Sequence, residues 1–338
     1  MPLDYIYKKT PEVEKHLHNL DVFKRLIDLL PQLPHLEENL RRKTLLKSSL
    51  FSAKIEGNRL NLKDVNFNLQ NTGSSNIEKL EVYNILHALN EINSREIPQK
   101  LDRDFILKLH KIVLKDISAD AGHFRIEPGA IFNQAGVAVY ITPPPNQIGE
   151  LIDKFIEQVS SSQEPGPVNS AISHFSFEKI HPFLDGNGRV GRLISVYILR
   201  NSGYGFRGIV SFEEYLNDNR QTYYDLLSST KKDVTEFVEF FLEALNNQAE
   251  KTVESMKNVE KEKPENSLLP RRREILEIIK DHGMVTFDFL RRRFYKIPDS
   301  TLHYDLKMLI KGGFIRKLGT TRGVCYMTKD QETNGHMD

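Results

Sequence analysis

Twelve consecutive residues combine a histidine, a carboxylate, a glycine-rich turn and two arginines. They run from His181 to Arg192 and read H-P-F-L-D-G-N-G-R-V-G-R. Glycines let the backbone approach a bound group, and the N-terminus of the helix that follows favours an anion because its N–H groups and its dipole are positive there. The two arginines are three residues apart, so they share a helix face and both reach a polyphosphate. The segment predicts a phosphate site.

Two further side chains of the segment could do chemistry on a bound phosphate. Asp185, just before the turn, is placed to hold a magnesium ion against the phosphates. His181 precedes the loop and is a candidate general base for a hydroxyl nucleophile. A helix-capping loop with surface arginines and an incidental histidine is the structural alternative. The joint occurrence of all these residue types favours the catalytic interpretation.

The segment resembles, at every position, the H-x-F-x-[D/E]-G-N-G-R-x-x-R signature of the Fic family. The resemblance implies transfer of AMP from ATP to a protein hydroxyl, with other nucleotides or phosphate-containing donors used by some members. Catalysis of this kind asks the protein mainly for positioning and charge stabilisation. The roles that the resemblance implies are the base for His181, the Mg²⁺ ligand for Asp185, the backbone anion hole for Gly186 and Gly188, the α-phosphate region for Asn187, and the β- and γ-phosphates for Arg189 and Arg192.

A second motif ends a predicted helix at about residues 37–57. It reads S-A-K-I-E-G and resembles the inhibitory [S/T]-x-x-x-E-[G/N] motif of regulated Fic proteins. The resemblance implies that Glu56 pairs with Arg192, removes the γ-phosphate contact and holds the enzyme at low activity. Ser52 lies four residues earlier on the same helix face. A solvated helix end is the alternative interpretation.

A β-hairpin is predicted upstream of the signature. Two β-rich runs, 130–132 and 137–142, flank a Gln-Ala-Gly turn, and three prolines end the second run. The hairpin follows a G-H-F-R element and resembles the Fic flap, whose edge holds the target backbone by strand addition. A merely structural hairpin is the alternative. The candidate target-binding residues are Val137, Ala138, Val139 and Tyr140.

The helix predicted after the catalytic one carries two adjacent tyrosines. It resembles the family helix that borders the adenine pocket, which makes Tyr224 the candidate nucleotide contact and Tyr223 a packing residue. Several residues further on, where similar family members carry asparagine, this chain has Lys231. The base that the site selects is therefore left open.

The C-terminal region is basic, with 14 Lys and Arg against 7 Asp and Glu over residues 271–330. Three helical runs precede two β-like runs that are joined by a basic turn, an order that resembles a winged helix-turn-helix. That resemblance implies contact with DNA, while a protein-interaction module is an equal alternative. The candidate DNA-binding residues are Ser300, Thr301, His303, Tyr304 and Arg322.

The amino-acid composition limits the class of protein. The chain has 338 residues, 39% hydrophobic and 28% charged, with a net charge of +1, which is typical of an ordinary globular protein. The single Cys325 excludes a disulfide within the chain and favours a reducing cytoplasm. We find no apolar N-terminal signal and no run of membrane-spanning length, so no membrane partner is expected.

The sequence therefore predicts a mainly α protein: a Fic-type helical core with a small hairpin flap, plus a winged helix-turn-helix. The expected boundaries are an N-terminal helical region at 1–100, a catalytic core at 101–246, a linker at 247–268 and the basic domain at 269–331. The expected function is transfer of AMP from ATP, with Mg²⁺, to a Ser, Thr or Tyr hydroxyl of a protein, its own included. The alternatives are removal of AMP, transfer of another nucleotide or phosphate group, and a DNA-binding regulator whose Fic core senses nucleotide. A homodimer is left open.

Overall fold

The computed structural model describes residues 3–29, 34–65, 76–94, 98, 100–132, 138–259, 268–319 and 324–328. The chain divides into two compact units, one of residues 1–32 with 40–257 and one of residues 33–39 with 258–338. Most described residues are helical, which confirms the predicted mainly α fold. No described helix combines the length and the apolar composition that crossing a bilayer requires.

The elements up to residue 259 are helices and one hairpin. They are α1 (Pro11–Leu29), α2 (Pro34–Ile55), α3 (Ile77–Ile92), α4 (Arg103–Val113), β1 (Ala130–Phe132), β2 (Ala138–Ile141), α5 (Ile148–Ser161), α6 (Gly166–Ile180), α7 (Asn187–Asn201), α8 (Glu213–Asp218), α9 (Arg220–Ser228) and α10 (Thr235–Val259).

The α6–α7 pair forms the centre of the first unit. Almost every residue of α6 is buried, because this helix lacks a polar face. Most residues of α7 are buried as well. Small residues bring the two helices close: the Ser170 hydroxyl donates to the Ser195 carbonyl at 3.1 Å. One hydrophobic cluster covers the pair from α3, α4 and α5, and a second covers it from α1, α9 and α10. The six-residue loop between α6 and α7 therefore rests on a fixed base.

The helical spacing of Val22, Phe23, Leu26 and Ile27 predicts a first helix that starts at Asp21, but α1 already begins at Pro11. Proline suits the first helical position, where its missing N–H costs nothing. Val13, Leu20 and Ile27 are fully buried at intervals of two turns, and this packing holds the helix together across its polar residues. Asp102 caps α4, since its carboxylate accepts the Phe105 N–H at 2.7 Å.

The second unit contains helices and a three-stranded antiparallel sheet of order β3-β5-β4. Its helices and last two strands lie where the sequence predicts them, whereas β3 was not predicted. The assignment to a winged helix-turn-helix agrees with this order and stays a prediction. The elements are α11 (Pro270–His282), β3 (Met284–Thr286), α12 (Phe287–Arg293), α13 (Asp299–Lys311), β4 (Ile315–Leu318) and β5 (Cys325–Thr328).

Candidate active site

The loop that joins α6 to α7 begins with His181 in a left-handed conformation, at φ 49° and ψ 59°. A side chain with a Cβ rarely adopts this conformation unless its surroundings hold it there. Two hydrogen bonds do so: the His181 N–H donates to the Phe177 carbonyl at 3.0 Å, and the Arg125 Nε donates to the His181 carbonyl at 2.8 Å. Gly186 supplies a second positive φ of 81° immediately before α7.

Asn187 fixes the shape of this loop. Its Oδ1 accepts the Phe183 N–H and its Nδ2 donates to the Phe183 carbonyl, both at 2.9 Å. The side chain is buried, so these bonds occupy it on both sides. The resemblance implies a role near the α-phosphate. In the structure Asn187 shapes the loop and the start of α7, whose free N–H groups are suited to an anion.

His110, to which the sequence assigns no role, supports the loop from α4. Its ring stacks on Phe183 with centroids 3.7 Å apart. Its Nδ1 accepts the Gly122 N–H at 2.9 Å, so Nε2 must carry the proton that is donated to the Asp185 carbonyl at 3.1 Å. Burial lowers the pKa of His110 to about 4, which keeps the ring neutral at pH 7.

Asp185 and Arg189 form an ion pair at the start of α7. Arg189 donates to Asp185 at 2.7 Å and, from its other terminal nitrogen, to Glu81 at 3.3 Å. Burial by itself would raise the pKa of Asp185, but the Arg189 charge and the hydrogen bonds from Arg189 and Gly186 outweigh it and lower that pKa. The carboxylate is therefore ionised while 63% of the side chain stays exposed.

This donor set fits Mg²⁺ better than a metal that needs a full protein cage. Among the described residues, no three His, Cys, Asp or Glu side chains cluster tightly enough to hold a metal ion. Mg²⁺ commonly takes one or two carboxylates and fills its remaining positions with phosphate oxygens and water. Asp185, ionised and exposed beside the N-terminus of α7, provides such a carboxylate.

Arg192 is bound by the helix end predicted to inhibit it. Its Nη2 donates to Glu56 Oε1 and to the Ser52 carbonyl, and its Nε donates to the Ser52 hydroxyl, each at 2.9 Å. The arginine is 1% exposed. Burial by itself would lower its pKa, but the Glu56 carboxylate outweighs burial and raises it. Every polar atom of this guanidinium except Nη1 is engaged.

Glu56 also lies directly against the first turn of α7. It follows the last residue of α2, in a turn where its N–H donates to the Ala53 carbonyl at 3.0 Å. A Cβ built on Gly188 would collide with Glu56 Oε1, so only glycine leaves room for the carboxylate there. Glu56 therefore occupies the space in which a phosphate would meet both the N-terminus of α7 and Arg192.

His181 is in the protonation state that a general base requires. Its Nδ1 lies 3.3 Å from the Glu178 carbonyl, which can only accept a hydrogen bond, so Nδ1 carries the proton and Nε2 is left to accept one. Burial lowers the pKa of His181 to about 4. At neutral pH the ring is uncharged.

A cavity of about 580 Å³ adjoins these groups. This volume lies in the range of nucleotide-sized ligands. It is lined by Glu56, His181, Asp185, Gly186, Asn187 and Gly188 on one side and by residues of α9 on the other. The wall residues that the sequence did not indicate are Glu178, Arg220, Gln221, Asp225, Leu227 and Ser228.

The two tyrosines of α9 take different positions, as the sequence predicts. Tyr224 lines the cavity, and its hydroxyl donates to the carbonyl of Ile55, the last residue of α2, at 3.0 Å. Tyr223 is 1% exposed and packs against the core, with its hydroxyl 2.7 Å from Nε2 of the buried His174. Burial lowers the pKa of His174 to about 3, so it is neutral.

The predicted flap is an antiparallel hairpin in which Ile131 lies opposite Tyr140. Tyr140 lines the cavity, and its hydroxyl donates to the Lys179 carbonyl at 3.1 Å. Of the other candidate target-binding residues, Val137 lies outside the described residues, as do the side chains of Ala138 and Val139.

Arg125 ties the base of this hairpin to the catalytic loop. Besides the His181 carbonyl, it donates to the carbonyls of Glu127 at 2.9 Å and Pro143 at 2.6 Å. The arginine is 3% exposed, and burial lowers its pKa.

The candidate DNA-binding residues lie on α13, except Arg322, which is outside the described residues. Ser300 is exposed and Thr301 is half-buried. His303 stacks on Phe287 with centroids 3.9 Å apart. Tyr304 is 54% exposed.

Comparison with known proteins defines the class. Residues 100–199 match the model of the Fic/DOC family, so this part of the chain is similar to Fic/DOC domains. Two curated relatives, both called protein adenylyltransferase Fic, come from Drosophila willistoni and Drosophila melanogaster. Each is 29% identical over 201 residues, which cover 56% of this chain and 39% of the relative. The chain thus spans about two fifths of the length of these relatives.

Solved structures share the fold. A Fic family protein from Desulfovibrio desulfuricans G20 has a TM-score of 0.66 and 21% identity, covering 96% of this chain and 98% of the other. Residues 134–508 of Fic-1 from C. elegans give a TM-score of 0.62 and 23% identity, covering 73% of each chain. At such identities the likeness concerns the fold alone.

Proposed function

We propose that this protein transfers AMP from ATP to a Ser, Thr or Tyr hydroxyl of a protein, with Mg²⁺, and that Glu56 holds it at low activity. The observation that carries the proposal is the assembly of the whole His181–Arg192 signature on one side of a nucleotide-sized cavity, with Glu56 bonded to Arg192. The name of the similar curated proteins, protein adenylyltransferase, supports it.

The described side chains divide the work of such a reaction. The N-terminus of α7, Arg189 and Arg192 bind the phosphates. Asp185 would hold Mg²⁺, which when bound supplies positive charge to neutralise the phosphates. Nε2 of His181 takes the proton of the target hydroxyl while its oxygen forms a bond to the α-phosphorus. The bond from that phosphorus to the bridging oxygen breaks, and pyrophosphate leaves with the electron pair.

Glu56 opposes this reaction in two ways. It engages the guanidinium that would bind the terminal phosphate, and it places a negative charge at the N-terminus of α7. Removing a carboxylate from a buried pair leaves the arginine charge without compensation, so the inhibited state is not given up readily. A nucleotide in the cavity would then lack the arrangement that in-line attack requires.

A labelling experiment tests the proposal. Wild type, Glu56→Gly and the double variant Glu56→Gly/His181→Ala are incubated with α-labelled ATP, Mg²⁺ and a cell lysate. We expect protein-bound label with Glu56→Gly alone. Absence of label from a Glu56→Gly protein that binds ATP would refute the transfer reaction, and mass spectrometry of any labelled protein would identify another transferred group.

The target would be held by the flap. Tyr140 lines the cavity from β2, and an extended target segment could add to that strand and present its hydroxyl to His181. Labelling of the enzyme itself in the same experiment would show that its own chain can serve as target. Release of AMP from a protein modified beforehand, lost in Glu56→Gly, would instead assign Glu56 to removal of AMP.

The second unit suggests a nucleic-acid contact as a second function. Its sequence is basic, and α13 exposes Ser300 and Tyr304 on one surface. We propose binding of duplex DNA through this face. Fluorescence anisotropy with a labelled duplex tests it: binding that weakens as salt rises and that persists in His181→Ala would support it, whereas no binding at low salt would contradict it.

A further inference from the structure

Glu178 is a buried carboxyl group at the catalytic site to which the signature gives no role. It lies three residues before His181 on α6, and its backbone carbonyl contacts the His181 ring. The residue is 7% exposed, and its side chain lines the cavity together with Glu56 and Gly188. Its Oε1 has no hydrogen-bond partner among the described residues. An ionised carboxylate with an unpaired oxygen is costly in such a place.

Glu178 and Glu56 face the same side of α7, one turn apart. A Cβ on Gly191 would lie 2.5 Å from Glu178 Oε1, and a Cβ on Gly188 would collide with Glu56 Oε1. The two glycines thus make room for two carboxyl groups beside Arg192. Among the described residues, Arg192 bonds to Glu56 and Ser52 alone, and its Nη1 has no partner there. If both carboxyl groups were ionised, the cluster of Arg192, Glu56 and Glu178 would carry a net negative charge.

Among the described residues, none of the charged groups around Glu178 forms a hydrogen bond to its Oε1. Arg192 on α7 and Lys179 on α6 favour its ionised form, while Glu56 on α2 opposes it. Lys179 is itself buried, with its Nζ 4.3 Å from the Tyr140 ring centroid and without a hydrogen-bond partner in the described structure. His174 on α6 and Tyr223 on α9 are neutral and bond to each other.

We propose that Glu178 is a positioning residue that acts as a neutral acid: it keeps the space beside Arg192 free of a second negative charge, so that either Glu56 or the terminal phosphate of a nucleotide can pair with that arginine. Burial and the Glu56 carboxylate together raise the pKa of Glu178 to about 8, which agrees with this geometry. The part that concerns the nucleotide rests on the proposed function.

Withdrawal of Glu56 changes the electrostatic interactions that set the pKa of Glu178. The repulsion that favours the protonated form of Glu178 disappears, and the charge of Arg192 is left uncompensated, so the pKa of Glu178 falls. Arrival of a terminal phosphate restores the repulsion and raises that pKa again. Nucleotide binding to an uninhibited enzyme is therefore coupled to uptake of a proton by Glu178.

Infrared spectroscopy of protein labelled with ¹³C-glutamate tests, in the absence of nucleotide, whether Glu178 is protonated. Wild type should show the C=O band of a protonated carboxylic acid at pH 7 that disappears around pH 8. The band should titrate at lower pH in Glu56→Gly and be absent in Glu178→Gln. Absence of an acid band from wild type at pH 7, or its persistence in Glu178→Gln, would overturn the inference. The comparison of wild type with Glu56→Gly remains decisive if Glu178→Gln does not fold.

Calorimetry tests the coupling. ATP is titrated into Glu56→Gly at pH 8 in two buffers of different ionisation enthalpy. We expect net proton uptake, which Glu178→Gln in the same background abolishes and which the control Glu150→Gln, at an exposed position on α5, retains. In Glu56→Gly protein that retains Glu178, the Kd for ATP should weaken by up to about tenfold between pH 7 and pH 9. Proton uptake that is unchanged by Glu178→Gln would refute the coupling while leaving the nucleotide site intact. Failure to bind ATP at all would instead refute the proposed function. In that case the infrared result would still decide whether Glu178 is protonated.

Discussion

Replacing Glu56 with glutamine separates the charge of the inhibitory residue from its bulk. Glutamine has the shape of glutamate, so it still fills the space over Gly188 and can still accept the hydrogen bond from Arg192 Nη2. It lacks the negative charge that repels a phosphate. Glu56→Gly removes both the charge and the bulk. The two variants together show which of these effects keeps the enzyme inactive.

The structure gives the expected size of the charge effect. Arg192 is 1% exposed and the Glu56 side chain is 32% exposed, so the pair is shielded from water on the arginine side. A hydrogen bond to a charged group contributes about 1.5–3 kcal/mol. The bond between Arg192 and glutamine keeps one charged partner and falls at the lower end of this range, whereas the pair with Glu56 falls at the upper end. The difference of about 1.5 kcal/mol corresponds to roughly a tenfold change in an equilibrium. We therefore expect Glu56→Gln to label targets about tenfold faster than wild type.

Glu56→Gly should exceed that gain, because it also frees the space beside α7. Initial rates of labelling from α-labelled ATP, together with the Kd for ATP, measure both variants. Ser52→Ala is a useful comparison, since it removes only the hydroxyl that accepts from Arg192 Nε and should raise the rate by a similar or smaller factor. If Glu56→Gln is as inactive as wild type while Glu56→Gly is active, bulk alone accounts for the inhibition and the electrostatic reasoning fails.

Three further predictions concern the catalytic loop. Because the pKa of His181 is lowered to about 4, its base form persists as the pH falls, and labelling by Glu56→Gly should stay constant from pH 7 to pH 5; a loss centred near pH 6.5 would contradict this. Asn187→Ala should lower the free energy of unfolding by about 1–3 kcal/mol, as two buried backbone groups of Phe183 lose their partner; denaturant unfolding measures this, and an unchanged midpoint would refute it. Arg125→Lys in the Glu56→Gly background should slow labelling while leaving the Kd for ATP unchanged, because lysine cannot reach three carbonyls in a fixed fork; equal rates would argue against a role for the fork.

Local patterns in the sequence were sufficient for the loop, the inhibitory motif and most helices. The pairing of Glu56 with Arg192 was expected from the resemblance of two short motifs to those of Fic proteins. Each motif by itself fixes only its own backbone, a glycine turn before α7 and a helix end at Gly57. The start of α1 was missed because only one face of that helix is apolar, at intervals of two turns, and its burial depends on partners distant in sequence.

The buried charges next to His181 were also missed. Glu178 and Lys179 resemble an ordinary solvated pair, and their environment is decided by helices that lie far away along the chain. One signal was available, however. A helix that is apolar on all sides must be buried on all sides, so charged residues within it are buried too. The cavity wall from α9 gave no comparable signal, because its residues are unremarkable helix formers until the fold places them opposite the loop.

The attachment of the hairpin uses mostly main-chain atoms. Arg125 bonds to the carbonyls of His181, Glu127 and Pro143, and the Thr142 hydroxyl donates to the Gly129 carbonyl at 2.7 Å. A carbonyl is present whatever side chain the residue carries. Residues at the hairpin tip can therefore be exchanged, in evolution or in engineering, without loosening the joint that holds it to the catalytic histidine. If the hairpin binds the target as proposed, the protein could be directed to a different target by substitutions in the hairpin that leave its attachment to His181 unchanged.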